Sequence, residues 1–272
     1  MQVPVDGRRV HAYTGGVAFD PAQPTVVFLH GAQHDHSVWI LQSRYFAHHG
    51  HAVLALDLPG HGRSEGEPLP TIEALGRWVV AALDAFGVAS AALVGHSMGS
   101  LIALEVAGAA PDRVSGIALV GTAFPRKVSD ALLAFDMINF WSHSTINARP
   151  GSPAPGFSIF NQNRRLMERQ KPGVLAVDFS ACNAWQGGFE RADALRCPAL
   201  FVLGARDAMT QPRFAHALIE RAARAAAAAY VPAPRVVEIP DCGHAIAAEA
   251  PDALRDALRT FLAASQPATL PR

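Results

Sequence analysis

The stretch that decides the fold is AALVGHSMGSLIALEVAG, residues 91–108. It begins with an apolar run typical of a strand buried on both faces and continues with the apolar spacing of a helix. Between them lies Gly95-His96-Ser97-Met98-Gly99, a G-x-S-x-G pattern. A serine on so sharp a strand-to-helix turn leaves no room for side chains two positions away on either side, which accounts for both glycines. We therefore predict Ser97 as a nucleophile; the alternative is a tight glycine turn that carries an exposed serine.

Similar apolar runs alternate with helical patterns along the chain, which is typical of a parallel α/β sheet flanked by helices. The predicted strands are Thr25–His30, Ala52–Asp57, Ala91–Gly95, Val114–Val120, Ala199–Gly204 and Arg235–Pro240. The predicted helices cover about residues 36–49, 71–86, 98–110, 212–229 and 246–264. Turn signals at Asp6-Gly7 and Gly15-Gly16 indicate an antiparallel hairpin near the start of the chain.

This alternation stops between Phe124 and Gly188, a segment that contains the turn-forming stretch Pro150–Gly156. The segment also carries apolar side chains at helical spacing, namely Leu133, Met137, Phe140 and Trp141. Two interpretations are open: plain core packing, or a lid helix whose apolar face covers a substrate site, since long insertions in compact folds are often functional.

Composition excludes several classes of protein. The 272 residues include 23 Lys plus Arg and 23 Asp plus Glu, so the chain lacks the basic excess that nucleic-acid binding requires. Half of the residues are apolar, which excludes disorder. The three cysteines are widely spaced and odd in number, which favours reduced, buried thiols over disulfides. Because no signal-peptide pattern and no long apolar run occur, we expect a cytoplasmic protein with no membrane partner.

A serine nucleophile needs a positioned base, and His244 is the best placed of the twelve histidines because it directly follows the last predicted strand. The acid is expected after the preceding strand, where Gly204-Ala-Arg-Asp207 supplies Asp207. Asp241 is a rival, but it lies too close to His244 along the chain to reach the far ring nitrogen easily. Asp207 also has a plainer interpretation, as a capping residue ahead of Pro212.

Acyl transfer builds negative charge on the carbonyl oxygen, and a backbone N–H aimed at that oxygen is worth about 3 kcal/mol. His30-Gly31-Ala32-Gln33 follows the first buried strand. We assign the two oxyanion donors to the N–H of Met98, directly after the nucleophile, and the N–H of Ala32.

Taken together, these segments resemble the α/β-hydrolase superfamily along nearly the whole chain. The matching motifs are His30-Gly31 with Trp39 downstream, Asp57-Leu-Pro-Gly-His-Gly-Arg-Ser64, Gly95–Gly99, Gly204–Asp207, Asp241-Cys-Gly-His244 and Glu249-Ala-Pro251. The resemblance implies a mostly parallel eight-stranded sheet with a helical cap inserted after strand 6. The core domain would then comprise residues 1–123 and 189–272, and the cap residues 124–188.

The resemblance is greatest to small bacterial serine carboxylesterases, including the type that trims the pimeloyl methyl ester in biotin synthesis. It implies a hydrolase of small to medium esters that uses Ser97, Asp207 and His244 and needs no cofactor or metal. We expect a monomer or homodimer. A serine at the elbow differs from the aspartate of haloalkane dehalogenases and epoxide hydrolases. Phe124, Trp141 and Trp185 are candidates for lining the substrate pocket.

Several alternatives share the same three residues: C–C bond hydrolysis, thioester hydrolysis and cofactor-free haloperoxidase-type activity. C–C hydrolases of this family tend to carry an aromatic residue directly after the catalytic histidine, where this chain has Ala245. A different class is also open, a non-hydrolytic ligand-binding receptor built on a hydrolase fold.

Two groups of histidines have ligand-type side chains, His34 with His36 and His48-His-Gly-His51, but neither has convincing zinc spacing. His61 is interpreted as a hydrogen bonder that fixes its own turn.

The neutral chain is unevenly charged. Residues 124–188 contain seven basic and four acidic residues, a net charge of +3, so the remainder carries −3. Such charge is usually a solvated surface. The sharper hypothesis is that Arg164, Arg165 and Arg169 attract an anionic substrate or an acidic carrier.

Overall fold

The computed structural model describes residues 1–125 and 165–265. Within them, eight strands form one sheet in the order β1-β2-β4-β3-β5-β6-β7-β8. The strands are β1 (Gln2–Val5), β2 (Arg8–Tyr13), β3 (Thr25–Leu29), β4 (Ala52–Leu56), β5 (Ala91–His96), β6 (Val114–Val120), β7 (Ala199–Gly204) and β8 (Arg235–Ile239). β1 and β2 pair antiparallel, as does β2 with β4, and every other pair is parallel. This is the α/β-hydrolase fold that the sequence predicts.

Helices pack on both faces of the sheet. They are α1 (Ile40–Ala47), α2 (Ile72–Ala85), α3 (Met98–Ala109), α4 (Val174–Ala184), α5 (Gly188–Asp193), α6 (His216–Ala229), α7 (Ile246–Glu249) and α8 (Pro251–Ser265). Two apolar clusters result, one under α2 and α3 and the other under α1 and α8. Strands β3 to β7 are buried on both faces, which is why they appear in the sequence as continuous apolar runs.

Three predicted helices differ in detail from those observed. Residues 36–49 form a short 3₁₀ turn, His36–Trp39, ahead of α1, and Pro212–Phe214 likewise precedes α6. The expected helix over 246–264 is split in two, because Ala250 adopts a non-helical backbone (φ −137°) immediately before Pro251. A residue before proline is pushed out of the helical region by the proline ring.

The sequence-predicted cap lies partly outside the described residues. The stripe from Leu133 to Trp141 and the loop Pro150–Gly156 belong to that part, so their fold stays a prediction. Its final portion, α4 and the start of α5, packs against the sheet domain through Phe179, Cys182 and Trp185, all buried in the larger apolar cluster. Among the described residues, no helix is both long and apolar enough to cross a membrane.

Candidate active site

Ser97 lies at the turn between β5 and α3, with a φ of 53° that side chains rarely adopt. Two close approaches explain the flanking glycines. A Cβ on Gly95 would lie 2.0 Å from the carbonyl oxygen of Gly99, and a Cβ on Gly99 would lie 2.3 Å from that of Leu29. The Ser97 residue is only 3% exposed, so the alternative of an exposed serine on a glycine turn does not hold. Strained backbone of this kind persists where the surrounding structure enforces it, commonly at functional sites.

His244 and Asp207 meet at the same edge of the sheet, after β8 and β7. The His244 Nδ1 lies 2.7 Å from the Asp207 Oδ2, and both side chains are fully buried. Burial alone would raise the pKa of Asp207, but the charge and hydrogen bond of His244, with hydrogen bonds from Thr210, lower it well below its ordinary value. Asp207 is therefore a carboxylate that accepts the Nδ1 proton, which leaves the Nε2 of His244 as the atom able to take another.

Asp241, the other candidate for the acid, does not contact His244 through any bond that the structure describes. Asp241 extends to the surface, where its Oδ1 lies 2.6 Å from the guanidinium of Arg206. Asp207 is thus the carboxylate that contacts the His244 imidazole. It also caps the backbone that follows it, because its Oδ1 accepts the N–H of Met209 and of Thr210, each at 2.8 Å.

The loop that carries His244 is held from two sides. Glu249 accepts the N–H of Gly243 at 2.7 Å and the N–H of Ala245 at 2.9 Å, clamping the residues on either side of the histidine. His96 donates its Nε2 proton to the His244 carbonyl oxygen at 2.7 Å. Because burial lowers the pKa of His96 far below its usual value, this ring is neutral and adds no positive charge beside His244.

The loop after β3 passes directly beside the elbow. A Cβ on Gly31, the residue before Ala32, would lie 3.3 Å from the Cβ of Ser97. Gln33 adopts a left-handed backbone (φ 55°), and its N–H donates to the Asp178 Oδ2 at 2.8 Å. Met98 is buried at the first position of α3. Both proposed oxyanion donors thus lie on segments that adjoin Ser97.

The three residues predicted to line the substrate pocket, Phe124, Trp141 and Trp185, do not all lie in the described part of the site. Phe124 and Trp185 pack edge to face with ring centroids 5.4 Å apart, deep in the larger apolar cluster. The Trp185 Nε1 donates to the Glu105 Oε2 at 3.0 Å. Trp141 lies outside the described residues, and the substrate role of all three stays a prediction. A cavity of about 30 Å³ beside the histidine loop is lined by other residues, among them His34, Trp39, His96, Leu166 and Ala245.

The histidine groups separate in space. His34 is buried near His244, and burial lowers its pKa to about 4, whereas the His36 Nδ1 donates to the Asp57 Oδ1 at 2.7 Å. His49 stacks on Tyr45 and bonds its carbonyl oxygen. Among the described residues, His11, His36 and Asp57 bring ligand-type atoms within 4.8 Å of one another. However, the Asp57 oxygens already accept bonds from His36 and from the N–H of Arg63, so this carboxylate fixes its turn.

Sequence reasoning missed the supporting residues of the site. Thr210 follows Asp207 by three positions, a spacing at which a short side chain can return to the acid, so a local signal existed. Glu249 belongs to the motif Glu249-Ala-Pro251, which by itself does not indicate that its carboxylate holds the histidine loop. Asp178 gave no signal, because its contacts to Gln33 and His61 span 145 and 117 residues of sequence.

A family model described as "Alpha/beta hydrolase family" matches residues 26–257, and the chain belongs to this family. Among curated relatives, the "Putative carbamate hydrolase RutD" of Klebsiella pneumoniae is 27% identical over 91% of this chain and 94% of its own length. The esterase YbfF of Escherichia coli is 26% identical over 78% of this chain and 83% of its own length.

Other relatives match over a shorter region. The acetyltransferase component of the acetoin cleaving system of Pseudomonas putida is 39% identical over 99 residues, so the chain spans only 26% of that protein.

Among solved structures, the enol-lactonase of Burkholderia xenovorans has a TM-score of 0.77 at 23% identity, covering 97% of this chain and 100% of that one. An esterase from Exiguobacterium antarcticum has a TM-score of 0.79 at 16% identity, with coverages of 97% and 99%. At these identities the structural likeness shows the fold.

Proposed function

We propose that this α/β hydrolase is a serine hydrolase that cleaves small to medium carboxylic esters through an acyl-enzyme on Ser97. The observation that carries the proposal is the convergence of three strand ends. Ser97 directly follows β5 on a strained turn, while the loops after β7 and β8 hold Asp207 and His244 in a 2.7 Å contact. A nucleophile, a base and an acid that orients the base are what acyl transfer requires.

In the proposed reaction, the Ser97 Oγ attacks the ester carbonyl carbon while its proton passes to the His244 Nε2. The resulting oxyanion accepts hydrogen bonds from the Ala32 and Met98 N–H groups. When the intermediate collapses, the bond to the alkoxy oxygen breaks and the alcohol leaves with the proton from His244. Water then attacks the acyl-enzyme, again giving its proton to His244, and the acid product is released with Ser97 restored.

The relatives support hydrolysis but differ in the type of bond that they cleave. Their names include an esterase, a carbamate hydrolase and a hydrolase of a methylenesuccinate, and two structural neighbours are described as acting on lactones, which are cyclic esters. Relatives described as epoxide hydrolases also match, but this chain has a serine at the elbow. Thioester, C–C bond and haloperoxidase-type chemistry use the same three residues and remain alternatives.

We further propose that residues 124–188 form a cap over the site. Support comes from its described end, where Gln170 bonds both the Gly62 N–H and the Asp35 carboxylate, and Lys171 bonds the Gly66 carbonyl oxygen. The segment therefore reaches back across the loops that follow β3 and β4, on the side of the sheet where the candidate site lies. A pocket closed by this segment would select the size of the acyl or alcohol group.

Labelling with a fluorophosphonate probe tests the proposal, combined with turnover of p-nitrophenyl acetate and butyrate and a lactone. We expect covalent labelling of wild-type protein at Ser97, ester turnover well above background, and loss of both in Ser97→Ala. If the wild-type protein is not labelled and turns over no ester above the Ser97→Ala control, it is not a serine hydrolase, and the receptor alternative gains support.

A further inference from the structure

A buried ion pair joins the proposed cap to the loop after β4. His61 and Asp178 are each about 1% exposed, and the His61 Nε2 lies 2.9 Å from the Asp178 Oδ2. The other ring nitrogen, Nδ1, lies 2.9 Å from the carbonyl oxygen of Pro59. Since a carbonyl oxygen and a carboxylate oxygen can only accept, both ring nitrogens must carry protons, and the ring is an imidazolium.

The same carboxylate oxygen reaches the proposed oxyanion loop. Besides His61, the Asp178 Oδ2 accepts the N–H of Gln33 at 2.8 Å. Gln33 directly follows Ala32 and has the left-handed φ of 55°, which an ordinary side chain adopts only where surrounding contacts enforce it. The Asp178 bond therefore holds the backbone of the residue that directly follows Ala32, the proposed oxyanion donor.

We propose that Asp178, paired with His61, is a positioning residue for the oxyanion hole. This inference rests on the proposed esterase function. Asp178 touches neither the serine nor the bound ester in the proposal; it acts through Gln33 on the direction of the Ala32 N–H. A charged acceptor binds a backbone N–H about twice as strongly as a neutral one. The positive ring of His61 balances the negative charge of the acceptor in this buried site.

A link that only joins the proposed cap to the core would not affect the Ala32 N–H. The chain contains such a link for comparison, at Glu105. Glu105 on α3 is also a buried carboxylate, and it bonds the Trp185 Nε1 and the Arg191 Nε, each at 3.0 Å, on the segment that returns from the proposed cap. Described contacts of Glu105 do not include the loop after β3. Glu105→Gln therefore changes a carboxylate to an amide at a comparable link without acting on that loop.

The experiment compares Asp178→Asn with Glu105→Gln in steady-state turnover of p-nitrophenyl butyrate. Because an oxyanion donor acts in the transition state, we expect Asp178→Asn to lower kcat about 10-fold or more with KM nearly unchanged, a part of the roughly 10²- to 10³-fold that loss of a whole donor costs. Glu105→Gln should keep kcat within about twofold of wild type. Equal kcat losses in the two variants, or a change in KM alone, would overturn the proposal.

His61→Gln covers the case in which Asp178→Asn does not fold. It leaves the carboxylate in place and removes the positive charge, and we expect the same selective fall in kcat; wild-type kcat in His61→Gln overturns the claimed part of His61. The wild-type and Ser97→Ala proteins, measured in parallel, separate the two proposals. Ester turnover that depends on Ser97 while Asp178→Asn retains the wild-type kcat refutes only the positioning role, and a wild type without Ser97-dependent turnover refutes the esterase function itself.

Discussion

At the residue scale, Thr210 supplies a side-chain hydrogen bond to the carboxylate of Asp207. Its Oγ1 donates to the Asp207 Oδ2 at 2.6 Å and lies 3.1 Å from the His244 Nδ1. Asp207 thus receives a hydroxyl, an imidazole and two backbone N–H groups, all of which favour the ionised carboxylate. The imidazolium that forms during proposed catalysis is stabilised by this fixed negative charge.

We expect Thr210→Val to lower kcat for p-nitrophenyl acetate by about tenfold, equivalent to about 1.4 kcal/mol, because one hydrogen bond to a buried charged group is lost. Thr210→Ser restores the hydroxyl and should recover most of the wild-type rate. A Thr210→Val enzyme with the wild-type kcat would show that the hydroxyl has no part in holding the acid.

At the element scale, His61 connects the turn after β4 with α4. Burial alone would lower its pKa, but the hydrogen bond and charge of Asp178 outweigh burial, with help from the Pro59 carbonyl and Asp57, and the net effect raises the pKa. Two further imidazoles face the pair: His30, whose pKa burial lowers to about 4, and His34. Both are therefore neutral near pH 7 and do not compete with His61 for the proton.

A histidine whose pKa is raised by folding stabilises the folded state fully below its unfolded pKa, and this contribution disappears as the pH rises through the folded pKa. The difference in unfolding free energy between wild type and His61→Gln should accordingly be larger at pH 5.5 than at pH 9. Urea unfolding at both pH values measures it. Equal differences at the two pH values would mean that His61 is not charged in the folded protein.

At the scale of the whole molecule, the chain of zero net charge divides into a basic segment, 124–188, and an acidic remainder. The structure refines which arginines are available. Arg169 lies 3.3 Å from the Asp35 carboxylate and so is partly neutralised, Arg165 is exposed, and Arg164 lies outside the described residues. Arg165 is the better candidate for attracting an anionic ester.

Esters with a distal carboxylate should show a kcat/KM that falls with added salt, whereas neutral esters of equal length should not, because salt screens charge attraction at the surface. Arg165→Gln should reduce kcat/KM for the anionic esters by about threefold at low ionic strength. The same change at the exposed Arg224 on α6 is the control. Equal salt dependence for the two ester classes would leave the basic residues as a solvated surface.

Most of the framework could be predicted from local sequence patterns. The buried strands had to be apolar on both faces, the turn at Ser97 had to have glycine at 95 and 99, and loops after parallel strands must share one edge of the sheet. These requirements act over a few residues, so Ser97, Asp207 and His244 could be selected before any coordinates, and the helix break at Ala250 could have been inferred from Pro251.

Only the tertiary structure decided what supports those residues. The sequence favours Asp207 over Asp241 as the acid, and the structure adds the contacts themselves: the loop after β7 brings Asp207 to 2.7 Å from His244, while Asp241 pairs with Arg206. Asp178 lies 145 positions from Gln33 and 117 positions from His61 along the chain, and no local pattern links it to either residue. Such contacts depend on how α4 packs across the sheet edge, because long-range hydrogen bonds between single side chains leave no periodicity in a sequence to detect.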